Sequence, residues 1–211
     1  MKNDLFNGSW ELNTANETLD EIKREMIDKA KSIPELANRF FVFSQGDVNA
    51  TIAVVGESPG PPDADAEKPF QGPTGDLLNR ILASIGLNRS NTYLTNIVKY
   101  ISQGDEITPE LMKFFTPFVW RELAVVKPKV VLLLGNTPTK SLLNTKQPIS
   151  KARGEFHEID GLTFMPTFNP AYLLRDPTKK REVWDDVRKV CDFLKDKVAG
   201  NDTNDTNIKD K

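Results

Sequence analysis

The chain has 211 residues, of which 38% are hydrophobic, and it carries a formal net charge of -2. This length is sufficient for one ordinary α/β domain with a sizeable core, and the hydrophobic fraction excludes a chain that is disordered throughout. The lack of a basic surplus counts against tight, non-specific binding of nucleic acid, although it leaves room for a local basic groove on an acidic surface.

The sequence contains one cysteine, Cys191, and one histidine, His157. One cysteine cannot form an intramolecular disulfide or, within one chain, a cysteine-based zinc or iron–sulfur site. The histidine lies in no motif that indicates a metal site or a Ser-His-Asp triad. The first residues are polar and lack a signal-peptide core, and no apolar run reaches the length of a membrane span. We therefore expect a cytoplasmic protein without membrane contact.

Hydrophobic periodicity and turn residues predict the elements in chain order. The first half contains a helix over 18–33, a strand over 51–55, a long loop over 57–74, a helix over 76–85 that ends at Gly86, and a strand over 93–98. The second half contains a helix opened by Thr108 and Pro109, a strand over 129–134, a helix over 138–143, a hairpin of 155–159 and 162–165 that turns at Asp160-Gly161, a last helix over 181–198, and a disordered tail over 200–211.

Strands that alternate with helices indicate one α/β domain with a mainly parallel sheet, which we place at residues 1–199. Three loops, at 56–75, 96–99 and 167–175, each follow a predicted strand. Ligands of open α/β sheets bind beyond the carboxyl ends of the strands, so these loops are expected to converge on one polar cleft.

Several short motifs follow one another over roughly residues 30–198: Gly56-Glu57-Ser58-Pro59-Gly60, 68–75, 93–99, 127–135, Arg153-Gly154 and 169–175. One such motif would be weak evidence, but the ordered set is specific. In this order the motifs resemble those of the family-four uracil-DNA glycosylases. The resemblance implies a three-layer α/β/α sandwich with a central, mainly parallel four-stranded sheet. It also implies an enzyme that removes uracil from DNA.

The resemblance assigns base binding to Gly56, Phe70 and Asn96. A target base must rotate out of the duplex into a pocket, where Phe70 would stack on the ring. Asn96 would read the Watson–Crick edge, because an amide offers a donor and an acceptor to N3–H and O4 of uracil. The structural alternative for Phe70 is a core aromatic beside Pro69. The alternative for Asn96 is a strand-end cap for the following turn.

The resemblance also suggests residues that contact DNA. Leu173 and Leu174 could wedge into the base stack, with ordinary core leucines as the alternative. Lys99, Arg153 and Arg175 could hold flanking phosphates, with solvated surface charge as the alternative.

Catalysis would depend on groups that stabilise an oxocarbenium-like sugar and a departing uracil anion. The segment 57–60 would present backbone N–H groups to the base carbonyl and position a water. Glu57 matches the family glutamate and Asp63 falls where a second acid is usual, although Asp65 or Glu67 could take that place. Ser58 stands where the best-known uracil glycosylases have a water-activating aspartate, and a serine lacks general-base strength without a partner.

Two departures from the family are evident. Its members hold an iron–sulfur cluster with four cysteines, whereas Tyr100 and Phe115 stand near two of those positions here. We expect no cofactor, and we expect packing among Tyr100, Phe114, Phe115 and Phe118 to replace the cluster locally. Asn169 also replaces the histidine that donates to the base oxygen, and a neutral amide stabilises a developing anion less.

The sequence thus predicts a monofunctional glycosylase with weakened chemistry that excises uracil from single- or double-stranded DNA as a monomer. Two alternatives remain: a glycosylase for another modified pyrimidine, and a catalytically weak member that binds DNA as a scaffold or sensor. The sequence leaves open the excised base, the strand preference and the protein partners.

Overall fold

The computed structural model describes residues 17–37, 39–101 and 107–202, with side chains up to 196. At its centre is a six-stranded sheet with the order β1-β3-β2-β4-β6-β5. The strands are β1 Gln45–Gly46, β2 Ile52–Gly56, β3 Thr92–Asn96, β4 Val130–Leu134, β5 His157–Ile159 and β6 Leu162–Thr167.

The four inner strands are parallel, as expected, and the two edge strands are antiparallel to their neighbours. Every residue of β2, β3 and β4 is buried, which explains why these strands appear as apolar runs without polar alternation. The prediction of a four-stranded sheet describes the parallel centre correctly. The structure adds β1, which has only two residues, and β5, which is the first arm of the predicted hairpin.

The helices cover both faces of the sheet. They are α1 Leu19–Ala30, α2 Pro61–Ala66, α3 Gly72–Ala83, α4 Pro109–Val126, α5 Asn136–Leu143, α6 Ile149–Ala152, α7 Pro170–Arg175 and α8 Lys180–Asp202. One hydrophobic cluster joins α1 and α4 to one face of the strands, and a second joins α3, α7 and α8 to the other. The predicted three-layer α/β/α sandwich is therefore confirmed.

Local start and turn signals are satisfied where the sequence shows them. Thr108 caps α4 by accepting a hydrogen bond from Leu111 N, and a capping box of Thr18 and Glu21 begins α1. The hairpin turns at Asp160 and Gly161, with φ of 50° and 79°, the positive values that a two-residue turn of this type requires.

Some predicted boundaries were wrong. The segment 57–74 is not a plain loop, because it contains α2 and the beginning of α3. The segment 167–175 likewise contains α7. The first helix ends at Ala30 rather than near 33, and α8 continues to Asp202, beyond the predicted 198. Of the predicted disordered tail, residues 203–211 lie outside the described residues.

Within the described ranges, no helix is long and apolar enough to span a membrane.

Candidate functional site

Gly56, Asn96 and Phe70 meet at the carboxyl end of the sheet. Gly56 ends β2 and pairs in register with Asn96, which ends β3. A β-carbon built on Gly56 would lie 2.3 Å from Asn96 Oδ1 and 2.7 Å from Phe70 Cζ, so only glycine leaves room for both side chains. Both side chains are buried. The structure therefore places an amide, which can donate and accept hydrogen bonds, beside an aromatic ring.

The loop that carries Phe70 is fixed by Arg89. Phe70 has a left-handed backbone with φ of 58°, a conformation that persists in a non-glycine residue only where the surroundings hold it. The Arg89 guanidinium donates to the carbonyl oxygens of Phe70 and, at 3.0 Å, of Pro69, and Nε donates to Asn79 Oδ1 at 2.7 Å. A β-carbon at Gly75 would lie 1.8 Å from the Phe70 oxygen, so glycine is required there as well. Arg89 was not predicted as a site residue, because nothing near it in the sequence marks this contact.

Asp63 closes the same loop. Its carboxylate accepts hydrogen bonds from Gly60 N at 3.0 Å and from Gln71 N at 2.5 Å, and the side chain is buried. Both oxygens thus join the two ends of the loop, and the catalytic part expected of Asp63 stays a prediction. Asp65 and Glu67, the alternatives for a second acid, are exposed.

Lys99 is not a surface cation, so its prediction as a phosphate contact was wrong. Its side chain is fully buried, and Nζ lies 2.7 Å from Glu122 Oε1. Nζ also donates to the Asn96 carbonyl at 2.8 Å and to the Thr95 hydroxyl. Glu122 in turn accepts from Thr95 at 2.7 Å and from the Tyr93 hydroxyl at 3.0 Å. Burial lowers the pKa of Lys99, and the charge of Glu122 opposes that shift.

Arg153 is also committed to contacts within the protein, which corrects its assignment to DNA. Its guanidinium donates to Asp186 at 2.5 and 3.0 Å and to the Glu182 carbonyl oxygen at 2.5 Å. Asp186 also accepts from the Thr167 hydroxyl at 2.6 Å. Burial raises the pKa of Asp186, while the hydrogen bond from Thr167 and the charge of Arg153 oppose the rise. Asp186 therefore joins α8 both to the end of α6, through Arg153, and to the end of β6, through Thr167.

Helix α7 divides the predicted wedge residues between core and surface. Leu173 is 1% exposed and packs in the core, so its prediction as a wedge was wrong. Leu174 is 44% exposed, and Arg175 at the end of the helix is exposed. Of the predicted DNA contacts, Leu174 and Arg175 are therefore the two that the fold leaves accessible.

Asn169 stands at the beginning of α7 and above the end of β4. Its Oδ1 accepts a hydrogen bond from Ala171 N at 2.8 Å and so caps the helix. Its Nδ2 donates a long bond of 3.4 Å to Leu134 O, and a β-carbon at Gly135 would lie 3.3 Å from Asn169 Cβ. An amide NH2 carries two hydrogens, so one donor is available beyond the bond to Leu134.

A cleft of about 430 Å³ lies beside Asn169. Glu57 lines it, and its carboxylate accepts a hydrogen bond from the Thr137 hydroxyl. Ser58 is half-buried at the start of the same loop, and its proposed catalytic part stays a prediction. The other residues that line the cleft are Gly135, Asn136, Pro148, Ile149, Ser150, Phe168, Asn169, Ala171, Tyr172 and Arg175. Beyond the sequence analysis, this adds Asn136, whose Oδ1 accepts from Ile149 N at 2.8 Å.

The residues at the expected cluster positions do not fit an iron–sulfur cluster. Tyr100 packs against Phe115 with ring centroids 6.0 Å apart, and Phe114 contacts Phe115 and Phe118 at 4.8 and 5.6 Å. A cluster needs about four thiolates, whereas the one cysteine of the chain lies on α8. Within the described ranges, no group of three or more His, Cys, Asp or Glu side chains is arranged to hold a metal ion.

The fold and the site define the class of protein: an α/β domain in which the carboxyl end of a mainly parallel sheet carries a buried amide, a buried aromatic ring and a polar cleft. Comparison with known proteins gives the family: residues 43–188 match the Uracil DNA glycosylase superfamily, and the chain belongs to it.

Curated relatives agree with this assignment. The Type-4 uracil-DNA glycosylase of Thermotoga maritima is 32% identical over 85% of this chain and 96% of its own length. That of Archaeoglobus fulgidus is 30% identical over 82% of this chain and 92% of its own length. A DNA polymerase of Bacillus phage SP01 is 30% identical over 74% of this chain, a match that covers 17% of the polymerase.

Proposed function

We propose that this protein is a DNA glycosylase that hydrolyses the N-glycosidic bond of uracil in DNA and leaves an abasic site. It is an enzyme of base-excision DNA repair, and DNA is its partner. The observation that carries the proposal is the close approach of both Asn96 and Phe70 to Gly56 at the carboxyl end of the sheet. Relatives of nearly the same length that are named uracil-DNA glycosylases support it.

In this proposal the extruded uracil lies against the Phe70 ring, and the Asn96 amide pairs with its Watson–Crick edge. Because both partners are buried, a base that lacks the matching donor and acceptor would leave a buried amide unsatisfied. Selectivity for uracil over cytosine, whose edge has the opposite pattern, then requires that the protein holds the Asn96 amide in one orientation, since a flipped amide would pair with cytosine.

Bond cleavage places negative charge on the base and positive charge on the sugar. The free hydrogen of Asn169 Nδ2 and the backbone N–H groups after Gly56 would stabilise the base, and the Glu57 carboxylate would stabilise the sugar. Ser58 would help to position the attacking water. Asn169 is a weaker donor than the histidine usual in the family, which is why we expect slow turnover.

Fewer residues are proposed to contact DNA than the sequence suggested. Leu174 would enter the space vacated by the extruded nucleotide, and Arg175 would lie near a flanking phosphate. We also propose a monomeric, cytoplasmic protein whose residues 1–199 form one domain; the two core clusters on opposite faces of one sheet support the single domain.

An excision assay tests the proposal. The purified protein is incubated with single- and double-stranded oligonucleotides that carry one uracil, a thymine mismatch or a hydroxymethylated pyrimidine, and alkali then cleaves the abasic sites. We expect cleavage of the uracil substrates alone. Cleavage confined to a modified pyrimidine would replace uracil with that base, and the altered donor at Asn169 is the observation that favours this second candidate. Binding of DNA without cleavage of any substrate would indicate a sensor instead.

A further inference from the structure

A second groove, of about 250 Å³, lies on the opposite side of α7 from the cleft. It is formed by α3, α7 and the first turns of α8. The residues that line it are Leu77, Arg80, Ile81, Leu173, Lys180, Val183 and Trp184. None of these residues has a part in the proposed chemistry, so the groove needs its own explanation.

Trp184 is the first unusual feature of this groove. Its side chain is 44% exposed at the groove wall, although a tryptophan in an ordinary position packs most of its surface. Trp120, for comparison, is half-buried and packs edge-to-face on Phe164 with centroids 5.4 Å apart. An exposed indole beside apolar side chains provides a flat surface on which another ring can stack.

The charge of the groove is the second unusual feature. Arg80 and Lys180 line it, both are exposed, and neither side chain forms an ion pair or hydrogen bond with any residue that the structure describes. No carboxylate is among the described residues that line the groove. In a chain with net charge -2, this is a local reversal of sign that suits an anionic ligand.

The groove and the cleft of the candidate site lie on the two sides of α7. Leu173 lines the groove, while Ala171, Tyr172 and Arg175 line the cleft on the other side of the same helix. Leu174 is exposed between them. A DNA strand that crosses α7 at Leu174, the proposed wedge, would therefore pass from the cleft, beside Arg175, into the groove.

We propose that this groove binds the DNA strand next to the extruded nucleotide, with one flanking base stacked on Trp184 and the adjoining phosphates beside Arg80 and Lys180. Aromatic stacking combined with nearby cations is the way in which proteins hold unpaired nucleotides without reading their sequence. The inference rests on the proposed function, because DNA must already occupy the cleft.

Binding of oligonucleotides with a non-cleavable tetrahydrofuran abasic site tests the stacking. Fluorescence anisotropy compares strands with flanks of about ten nucleotides on both sides with strands trimmed to one nucleotide on either side. Trp184→Ala should weaken binding of the long strands about 5- to 100-fold, the range for one lost base stack. Trp184→Phe, which keeps a ring, should retain most of the affinity. The loss of affinity caused by Trp184→Ala should disappear when the flank whose base stacks on Trp184 is trimmed.

The charges are tested separately. The double variant Arg80→Gln/Lys180→Gln should make the dependence of log K on log salt less steep. The change in slope should correspond to the loss of up to about two phosphate contacts. Lys127→Gln/Lys129→Gln is the matched control. These exposed lysines precede β4 and therefore lie at the amino end of the parallel strands, away from the candidate site. Equal slopes for the two double variants would contradict the proposal.

The outcomes separate this inference from the function on which it rests. If the wild type excises uracil and Trp184→Ala, folded by its thermal unfolding curve, binds the long strands as tightly as the wild type, the groove proposal is wrong and the function stands. If the wild type neither excises uracil nor binds uracil-containing or abasic DNA, both are wrong.

Discussion

The guanidinium of Arg89 donates a hydrogen bond to the backbone carbonyl of Phe70, the residue whose ring closes against Gly56. Arg89 lies between α3 and β3, well after Phe70 in the chain, and its other side-chain hydrogen bonds go to Pro69 O and Asn79 Oδ1. Its effect on a bound base would therefore act through the position of Phe70. Burial lowers the pKa of Arg89, while the nearby charges of Asp63 and Asp76 oppose that shift.

Replacement of Arg89 should impair excision by releasing this loop. We expect Arg89→Met to lower kcat/KM for uracil-containing DNA about 10- to 100-fold, since hydrogen bonds from a charged donor contribute about 1.5–3 kcal/mol each. Arg89→Lys should recover only part of the loss, because an ammonium lacks the planar fork that reaches both carbonyls and Asn79. Steady-state kinetics would be measured well below the unfolding temperature of each variant.

The control for Arg89 is Arg188→Met, at an exposed position of α8. A lowered melting temperature with unchanged kcat/KM in Arg89→Met would show that Arg89 serves stability alone.

The buried pair of Lys99 and Glu122 should be essential to the fold below Asn96. Lys99→Met leaves the Glu122 carboxylate buried without its cation, which typically costs about 3–5 kcal/mol. The double variant Lys99→Met/Glu122→Leu removes both charges and should regain much of that loss in urea unfolding. A double variant as unstable as Lys99→Met would show that the hydrogen bonds to Asn96, Thr95 and Tyr93 matter more than the charges.

Lys99 and Arg89 show which features of the site cannot be predicted from the sequence. Lys99 follows a recognisable motif and resembles a phosphate contact, but its partner Glu122 comes from α4 on a distant part of the chain. Arg89 contacts Pro69 and Phe70 across a whole helix. Pairing of side chains across elements depends on tertiary packing, so the local sequence does not reveal which cations are free. The accessible Arg175 and the buried Lys99 were indistinguishable by motif.

The backbone was easier to predict, and for physical reasons. Inner parallel strands are buried on both faces and therefore appear as apolar runs, while Asp160-Gly161 is a strong hairpin signal. The short helix α2 was missed because it has only six residues, too few for a periodic pattern. Its stability depends on Asp63, whose carboxylate binds the backbone of Gly60 and Gln71.

Asn96 provides a direct test of base recognition. If its amide reads uracil, Asn96→Ala should abolish detectable excision while the protein remains folded, because the donor and acceptor to the base are both lost. Circular dichroism and thermal unfolding establish the fold, and the exposed Asn49→Ala serves as the matched control. Undiminished excision by Asn96→Ala would rule out this assignment.

Iron analysis tests the replacement of the cluster by aromatic packing. We expect a colourless preparation without stoichiometric iron, since Tyr100 and Phe115 fill the expected cluster region and offer no thiolate. Tyr100→Ala should then destabilise the protein by about 3–5 kcal/mol, the usual cost of truncating a buried aromatic side chain. A brown preparation with stoichiometric iron would contradict the prediction, unless several chains share one cluster.

Asn169 has two separable tasks, and this makes it the most informative position. Its oxygen caps α7, whereas its nitrogen is the candidate donor to the base. Asn169→Asp keeps the capping oxygen but replaces the donor with a negatively charged oxygen beside Leu134 O, so it should preserve the cap and lower the rate. Loss of one such donor typically lowers the rate about 100- to 1,000-fold. Asn169→Ala removes both the capping oxygen and the donor. It should therefore lower the rate and also reduce the stability by about 1 kcal/mol.

Asn169→His restores the donor usual in the family and should raise the rate of uracil excision, although its poorer cap lowers stability by a similar amount. Single-turnover kinetics on uracil-containing DNA measure the rate, and urea unfolding measures the cap. A higher rate identifies a uracil glycosylase whose chemistry has been weakened by the amide. A lower rate, combined with good wild-type activity on a modified pyrimidine, would mean that Asn169 fits that other base. The effect need not be the full reverse of the donor loss, because Ser58 has also changed from the family pattern and neighbouring residues rarely act additively.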